Sequence, residues 1–165
     1  MQSVSEPTIG KPSFKDIFSL PFLFERAVLT DFSFYSEQVK KRIIRKNSLL
    51  RLFFACIRKQ RVLLVAKVEG KCVGLIISSC NANIGVIHWL FVLPEHRGKK
   101  IGFNLVEKAG DELQKLGCHK ITLTTEIASE FYKKLGYIEE GVLKKHWWEK
   151  DFTIMSKIFS KSVPL

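Results

Sequence analysis

Between an apolar run and the start of an amphipathic segment stands Glu95-His96-Arg97-Gly98-Lys99-Lys100-Ile101-Gly102, whose residue types suit the capture of an anion. A loop that enters a helix leaves the first main-chain N–H groups without intrahelical partners, and the helix dipole adds positive potential there. Arg97, Lys99 and Lys100 reinforce that potential. A pyrophosphate is the kind of ligand such a loop holds well. Taken alone, the same residues also describe a basic surface turn that caps a helix.

The wider charge distribution points toward anions as well. The formal net charge is +11. From Asp31 to Lys71 the basic residues Lys40, Lys41, Arg42, Arg45, Lys46, Arg51, Arg58, Lys59, Arg61, Lys67 and Lys71 face only Asp31, Glu37 and Glu69. Such a block steers a nucleotide cofactor, an acidic acceptor, nucleic acid or an anionic membrane surface toward it, or is simply a solvated helix face. Cys56, Cys72, Cys80 and Cys118 stand far apart in sequence, with no CxxC pair and no histidine at zinc-ligand spacing. No metal site is read, and a reducing, cytoplasmic setting is expected. The apolar stretch from Ile17 to Phe24 follows Lys11 and Lys15 as in a secretory signal, but Pro21 interrupts it and no small-residue cleavage site follows. No apolar run approaches the ~18 residues of a membrane-spanning helix.

The elements that must position the loop can be read from periodicity. With 165 residues, 46% of them hydrophobic, the chain can bury the core of one domain. Residues 1–28 carry three prolines and no sustained period, and are expected to form an irregular arm with room for one early strand, ahead of a domain over 29–165. Ser36 to Lys46 reads as a helix capped by Ser36; Leu49 to Ile57 reads as a second short helix or a buried strand. Val62–Val68 and Cys72–Ser79 flank Glu69-Gly70-Lys71 as a hairpin, and Val86–Val92 follows as a third strand. Ile101, Leu105, Val106, Ala109, Leu113 and Leu116 line one face of a helix that Gly117 ends. A short strand around Ile121 and Leu123 comes next, then a helix with Ile127, Phe131 and Leu135 on one side, ended by Gly136. Tyr137–His146 and Asp151–Phe159 close the chain as strands. This order gives an α+β domain around one mixed sheet, with a right-handed crossover from Val86 to Thr125 joining parallel neighbours.

At the 95–102 loop the chain resembles the GNAT superfamily of acetyl-CoA-dependent N-acetyltransferases, whose pyrophosphate loop reads Arg or Gln, any, any, Gly, any, Gly or Ala. Arg97 and Gly102 match, and Leu90-Phe91-Val92-Leu93-Pro94-Glu95 is similar to the family's passage from strand to loop. Lys100 stands where the family usually has its first glycine, so the loop either keeps φ negative there or is strained by ~1 kcal/mol or more. Its ammonium either joins the phosphate site or obstructs it. Ala128-Ser129-Glu130-Phe131-Tyr132-Lys133-Lys134-Leu135-Gly136-Tyr137 resembles a second family motif, a tyrosine-bearing helix that ends in Leu-Gly and an aromatic residue. The resemblance runs from about Val62 to Phe159. It implies a single mixed, mostly antiparallel sheet with helices on both faces. It also implies acetyl-CoA as donor, held by Leu90, Phe91, Val92, Arg97, Gly98, Lys99, Lys100, Ile101, Gly102, Thr125 and Tyr132. In the family the strand carrying Leu90 to Val92 splays from its neighbour and pairs with the pantetheine arm.

The resemblance further implies direct acetyl transfer to a primary amine in a ternary complex. By its pattern Tyr132 donates the proton that the departing thiolate needs. The family's usual glutamate base falls near Val86, which cannot serve. His88 is the first candidate instead, because an unperturbed pKa of about 6.5 suits proton transfer at neutral pH; a core histidine bonded to a carbonyl is the alternative. Glu126 is the weaker candidate, or a helix N-terminal charge. Thr125 stands in for an asparagine common in the family and can still cap the following helix. A small-molecule amine, a peptide N-terminus and a protein lysine all fit as acceptor, and the oligomeric state is not written in these motifs. The competing reading is a non-catalytic basic module on the same fold that binds nucleic acid or an anionic surface. For it, His146-Trp147-Trp148 would be a stacking platform rather than packing or a pocket wall.

Overall fold

Apolar and β-branched runs bounded by turn residues become the strands of one sheet. A computed structural model describes residues 6–46 and 58–159. The strands are β1 (Thr8–Gly10), β2 (Arg61–Val68), β3 (Lys71–Asn81), β4 (Ile84–Val92), β5 (Lys120–Thr125), β6 (Ile138–Leu143) and β7 (Phe152–Ile158). They lie in the order β1-β2-β3-β4-β5-β7-β6. Only the β4–β5 pair is parallel, so the sheet is mixed and mostly antiparallel as expected. The β2–β3 hairpin turns at Glu69 and Gly70, both at positive φ (51° and 76°), the geometry that matches the twist of the flanking strands.

The helices are α1 (Phe14–Asp31), α2 (Glu37–Lys46), α3 (Ile101–Lys115) and the five-residue α4 (Ser129–Lys133). They cover both faces. Gly74 of β3 pairs with Val92, and a Cβ there would meet Leu105 of α3 at 3.3 Å. Three residues on, Ile77 pairs with Trp89, whose side chain therefore points to the opposite face and meets Phe24 of α1 edge-on at 4.9 Å. Leu20, Ala66, Leu75, Ile76, Leu105, Ala109, Leu113 and Met155 are completely buried in the main core. A second, smaller cluster joins Phe24 and Val28 of α1 to Ile43 of α2, with Trp89 packed against both cores.

The first 28 residues depart from the expected irregular arm. The early strand is present as β1, but residues 14–31 form an 18-residue helix, and the boundary expected after residue 28 falls inside it. A capping box starts α1: the Ser13 N–H donates to Asp16 Oδ2 at 2.6 Å and the Asp16 N–H to Ser13 Oγ at 3.4 Å. Ile17, Leu20, Leu23, Phe24, Ala27 and Val28 form the buried face. Phe14, Phe18 and Phe22 lie on the other side, exposed, so the segment is apolar all round and its period is obscured. Pro21 is tolerated inside the helix. Helix α2 matches its expected span, with the Ser36 hydroxyl accepting from the Val39 N–H. The expectation for residues 49–57 lies outside the described residues. Helix α4 is shorter than the pattern suggested; Ile127 precedes it and is exposed rather than on its buried side. Among the described residues no helix is long and apolar enough to cross a membrane.

Candidate active site

Register places the key irregularities in β4. Strands β4 and β5 share three paired positions, Ile84 with Lys120, Gly85 with Ile121 and Val86 with Thr122, and then part. Beyond Val86 the edge of β4 that faces β5 has no strand partner, while its other edge stays paired with β3 through Leu90, Phe91 and Val92. A bulge accompanies the split: Ile77 opposes Trp89 and Ser78 opposes Ile87, which leaves His88 as the extra residue. The split opens into a cavity of about 510 Å3 lined by β4, the mouth of β5, the C-terminal part of α1, the segment after it and the β6–β7 loop.

Above the split, the 95–102 loop enters α3. A 3-10 turn over Pro94–His96 leads to Gly98 at φ 75° and to Lys100, the N-cap of α3, at φ 58° and ψ 9°. The loop therefore does not keep φ negative at Lys100; a lysine occupies the left-handed region that glycine enters freely. The first main-chain bond of α3 runs from the Asn104 N–H to the Lys100 carbonyl. Among the described residues, the N–H groups from Gly98 to Gly102 find no backbone acceptor. Such a run of unpaired amides at the N-terminus of a 15-residue helix is a donor set for phosphate oxygens. Gly102 faces Phe131 and Val92, where an added Cβ would sit at 3.6–3.7 Å. The Arg97 side chain is already engaged: Nε donates to the Val92 carbonyl at 2.8 Å, and the guanidinium makes two bonds to Asp31 at 2.7 and 2.8 Å. It ties the end of α1 to the end of β4, and it occupies the carbonyl of one of the three β4 residues expected to serve a ligand.

Tyr132 is buried in α4 and lines the cavity, edge-on to Phe131 and Tyr137. Its hydroxyl bonds no described residue and is not sealed from solvent. Burial holds its pKa well above the usual 10, so the phenol stays protonated at any physiological pH. Thr125 caps the turn before α4, its Oγ1 accepting from the Ala128 N–H at 3.0 Å. His88 also lines the cavity. It is not the carbonyl-bonded core histidine that was the alternative: it is exposed, and its Nε2 lies 2.7 Å from the Ser79 hydroxyl. Partial loss of water around the ring and the nearby Arg61 cation lower its pKa below 6.5, which favours the neutral imidazole.

Phe32, Phe34, Tyr35 and Trp89 were not singled out from the sequence. Tyr35 donates to Glu126 Oε2 at 2.6 Å across 91 residues of chain, and both its burial and this carboxylate push the Tyr35 pKa far up. Phe32, Phe34, Trp89 and Trp148 join Tyr35 in a run of ring contacts at 4.6–6.3 Å. Trp147 and Trp148 line the cavity, as a pocket wall would. Their loop is bridged at its base by Asp151, which accepts from the Lys145 N–H at 2.9 Å and Lys144 Nζ at 2.8 Å, and Lys145, Trp148 and Glu149 all take positive φ. Away from the cavity, the three described cysteines are free thiols, and burial followed by contact with Cys80 pushes the Cys118 thiol up to about 12.

Comparison with known proteins agrees with this fold. Residues 59–139 match the family model of the acetyltransferase (GNAT) domain. An uncharacterized N-acetyltransferase of Methanocaldococcus jannaschii is 32% identical over 117 residues, which cover 63% of this chain and 52% of that protein. One from Archaeoglobus fulgidus is 44% identical over 55 residues, 28% of this chain and 36% of the relative. The match thus spans about half, and about a third, of the length of these curated relatives. Among solved structures, the PaiA N-acetyltransferase of Thermoplasma acidophilum, crystallised with coenzyme A, superposes with a TM-score of 0.80 at 26% identity over 93% of this chain and 99% of that one. A split sheet, an amide-rich loop above the split and a matching domain model define one class of protein, and the chain belongs to the GNAT superfamily of N-acetyltransferases.

Proposed function

We propose that this protein transfers the acetyl group of acetyl-CoA directly to a primary amine. One observation carries the reading: β4 leaves β5 after Val86, the cavity so formed is lined by Tyr132 and His88, and a loop of unpaired amides follows the end of β4. The amides from Gly98 to Gly102 hold the pyrophosphate, with Lys99 and Lys100 adding charge. Arg97 acts through position, fixing the loop to α1 and β4. The free edge of β4 from Ile87 to Phe91 pairs with the pantetheine arm as a further strand would. Acetyl-CoA supplies an activated thioester.

The protonated amine loses one proton to solvent on becoming a nucleophile and a second as the new C–N bond replaces the C–S bond. His88, neutral at pH 7, accepts that second proton. Tyr132, kept protonated by burial, gives its proton to the departing sulfur and is reprotonated from water. Net, one amine cation and one thioester give an amide, a thiol and one proton.

A melting experiment tests the reading. Acetyl-CoA at about 100 times its Kd stabilises the folded state by ~2.7 kcal/mol. At roughly 2–4 °C per kcal/mol for a chain of this size, that is a rise of about 5–11 °C. No rise at millimolar acetyl-CoA, together with salt-sensitive retention of nucleic acid, would sink the transferase reading in favour of a basic binding module.

A further inference from the structure

The acceptor's chemistry can be read from the walls of the cavity, none of which comes from the 95–102 loop. Two acidic side chains line the cavity, Asp31 and Glu126. Both oxygens of Asp31 accept from Arg97. Glu126 is half-buried at the mouth of β5, its Oε2 fixed by Tyr35, and its Oε1 accepts from no described residue. The cavity thus offers one carboxylate with an open oxygen. Around it the wall is aromatic: Trp89 meets Phe32 at 6.1 Å, Phe32 stacks on Tyr35 at 5.7 Å, and Tyr35 meets Trp148 edge-on at 5.1 Å. At the rim, Lys150 Nζ lies 5.8 Å from the centre of the Phe34 ring, so one aromatic face already receives an ammonium of the protein's own.

We infer that the acceptor is a monoamine with a flat aromatic body, an arylalkylamine, whose ammonium sits at Glu126 while its ring packs among Trp89, Phe32 and Trp148. The inference rests on the acetyl-transfer reading above. One open carboxylate balances one ammonium. A polyamine or a lysine-rich peptide would bring further charges to a cavity with no second free acid, past Lys150 and against a net charge of +11. A short alkylamine would leave the aromatic wall uncovered and lose its apolar contribution. Tyr35, whose pKa is raised by burial and by Glu126, remains a donor and keeps the carboxylate oriented.

The test compares 2-phenylethylamine, butylamine and spermidine by thiol release at saturating acetyl-CoA, alongside binding of each amine to the CoA-loaded protein by tryptophan fluorescence. Phenylethylamine is expected to exceed butylamine and spermidine about tenfold or more in kcat/KM and to bind correspondingly tighter. Trp148→Ala is expected to collapse the phenylethylamine-to-butylamine ratio several-fold while the acetyl-CoA melting shift persists. Glu126→Gln should raise KM for every amine. Spermidine turning over best, or phenylethylamine binding no tighter than butylamine, overturns the acceptor class and leaves acetyl transfer standing. Loss of the acetyl-CoA shift in the unaltered protein overturns acetyl transfer itself.

Discussion

Replacement of Tyr132 by phenylalanine separates chemistry from binding more cleanly than any other single change in this molecule. The hydroxyl makes no hydrogen bond to a described residue, so its removal strands no partner. The ring keeps its contacts with Phe131 and Tyr137 at 5.0 and 5.5 Å. The hydroxyl reaches solvent and holds no protein partner, so its loss leaves packing intact and Tyr132→Phe should be neutral or stabilising by up to about 1 kcal/mol. That corresponds to a melting temperature unchanged or higher by roughly 2–4 °C. The catalytic effect has the opposite sign. General acid catalysis contributes typically 10²–10⁴-fold, so kcat should fall by about 10² or more. Steady-state thiol release gives kcat, and calorimetric titration with acetyl-CoA gives Kd, expected to stay within about twofold, since an interaction made only in the transition state leaves ground-state binding alone. An unchanged kcat would remove Tyr132 from the reaction. A fall in kcat matched by an equal loss of acetyl-CoA affinity would make it a binding residue.

Lys100→Gly should relieve the left-handed strain at the N-cap of α3, offset in part by the freer unfolded chain, and leave stability within about 1 kcal/mol. At the same time acetyl-CoA affinity should drop two- to fivefold if the ammonium faces phosphate, an exposed charge being worth about 0.5–1 kcal/mol; calorimetric Kd decides between a contributing and an obstructing lysine. The lowered His88 pKa predicts that the acid limb of kcat/KM falls below pH 6.5, with activity rising as the imidazole loses its proton, and that the limb disappears in His88→Gln. Burial alone would raise the Asp16 pKa, but Lys67 and Ser13 outweigh it and hold the group at about 2. Its contribution is present above the ordinary value of about 4 and lost as pH falls through 2, so unfolding free energy should drop there by roughly 1–2 kcal/mol more in the native protein than in Asp16→Asn. Gly74→Val places a Cβ 2.9 Å from the Phe91 carbonyl and 3.3 Å from Leu105, and denaturant unfolding should show a loss of about 2–3 kcal/mol.

What could be read from the sequence follows the range of the interactions involved. The β2–β3 hairpin, α2 and α3 with its preceding loop are set by local capping, turn residues and period, and each stands within two residues of its expected bounds. Helix α1 was hidden because Phe14, Phe18 and Phe22 occupy its solvent side, which erases the contrast between faces that marks an amphipathic helix. Ile127 was misassigned because α4 is held by its Thr125 cap and by Tyr132 packing rather than by a long apolar stripe. The acceptor wall could be read only in part: Glu126 and the Trp147-Trp148 pair stood out in the sequence, but their partners did not. Phe32 and Tyr35 meet Trp89, Glu126 and Trp148 only through the folded sheet, and nothing in local sequence encodes contacts across 57 to 113 positions. The direction of the Arg97 side chain belongs to the same category: the motif suggested phosphate, while Asp31, 66 residues away, takes the guanidinium.

Amide resonances of Gly98 to Gly102, followed by 1H–15N correlation spectra during titration with coenzyme A, test the central claim most directly. Large shifts and slowed hydrogen exchange confined to these amides and to the free edge of β4 are predicted, since both sets of groups gain partners when the ligand enters. Saturable binding that leaves the Gly98 to Gly102 amides unmoved, with shifts gathered instead on the basic surface of α2, would contradict it.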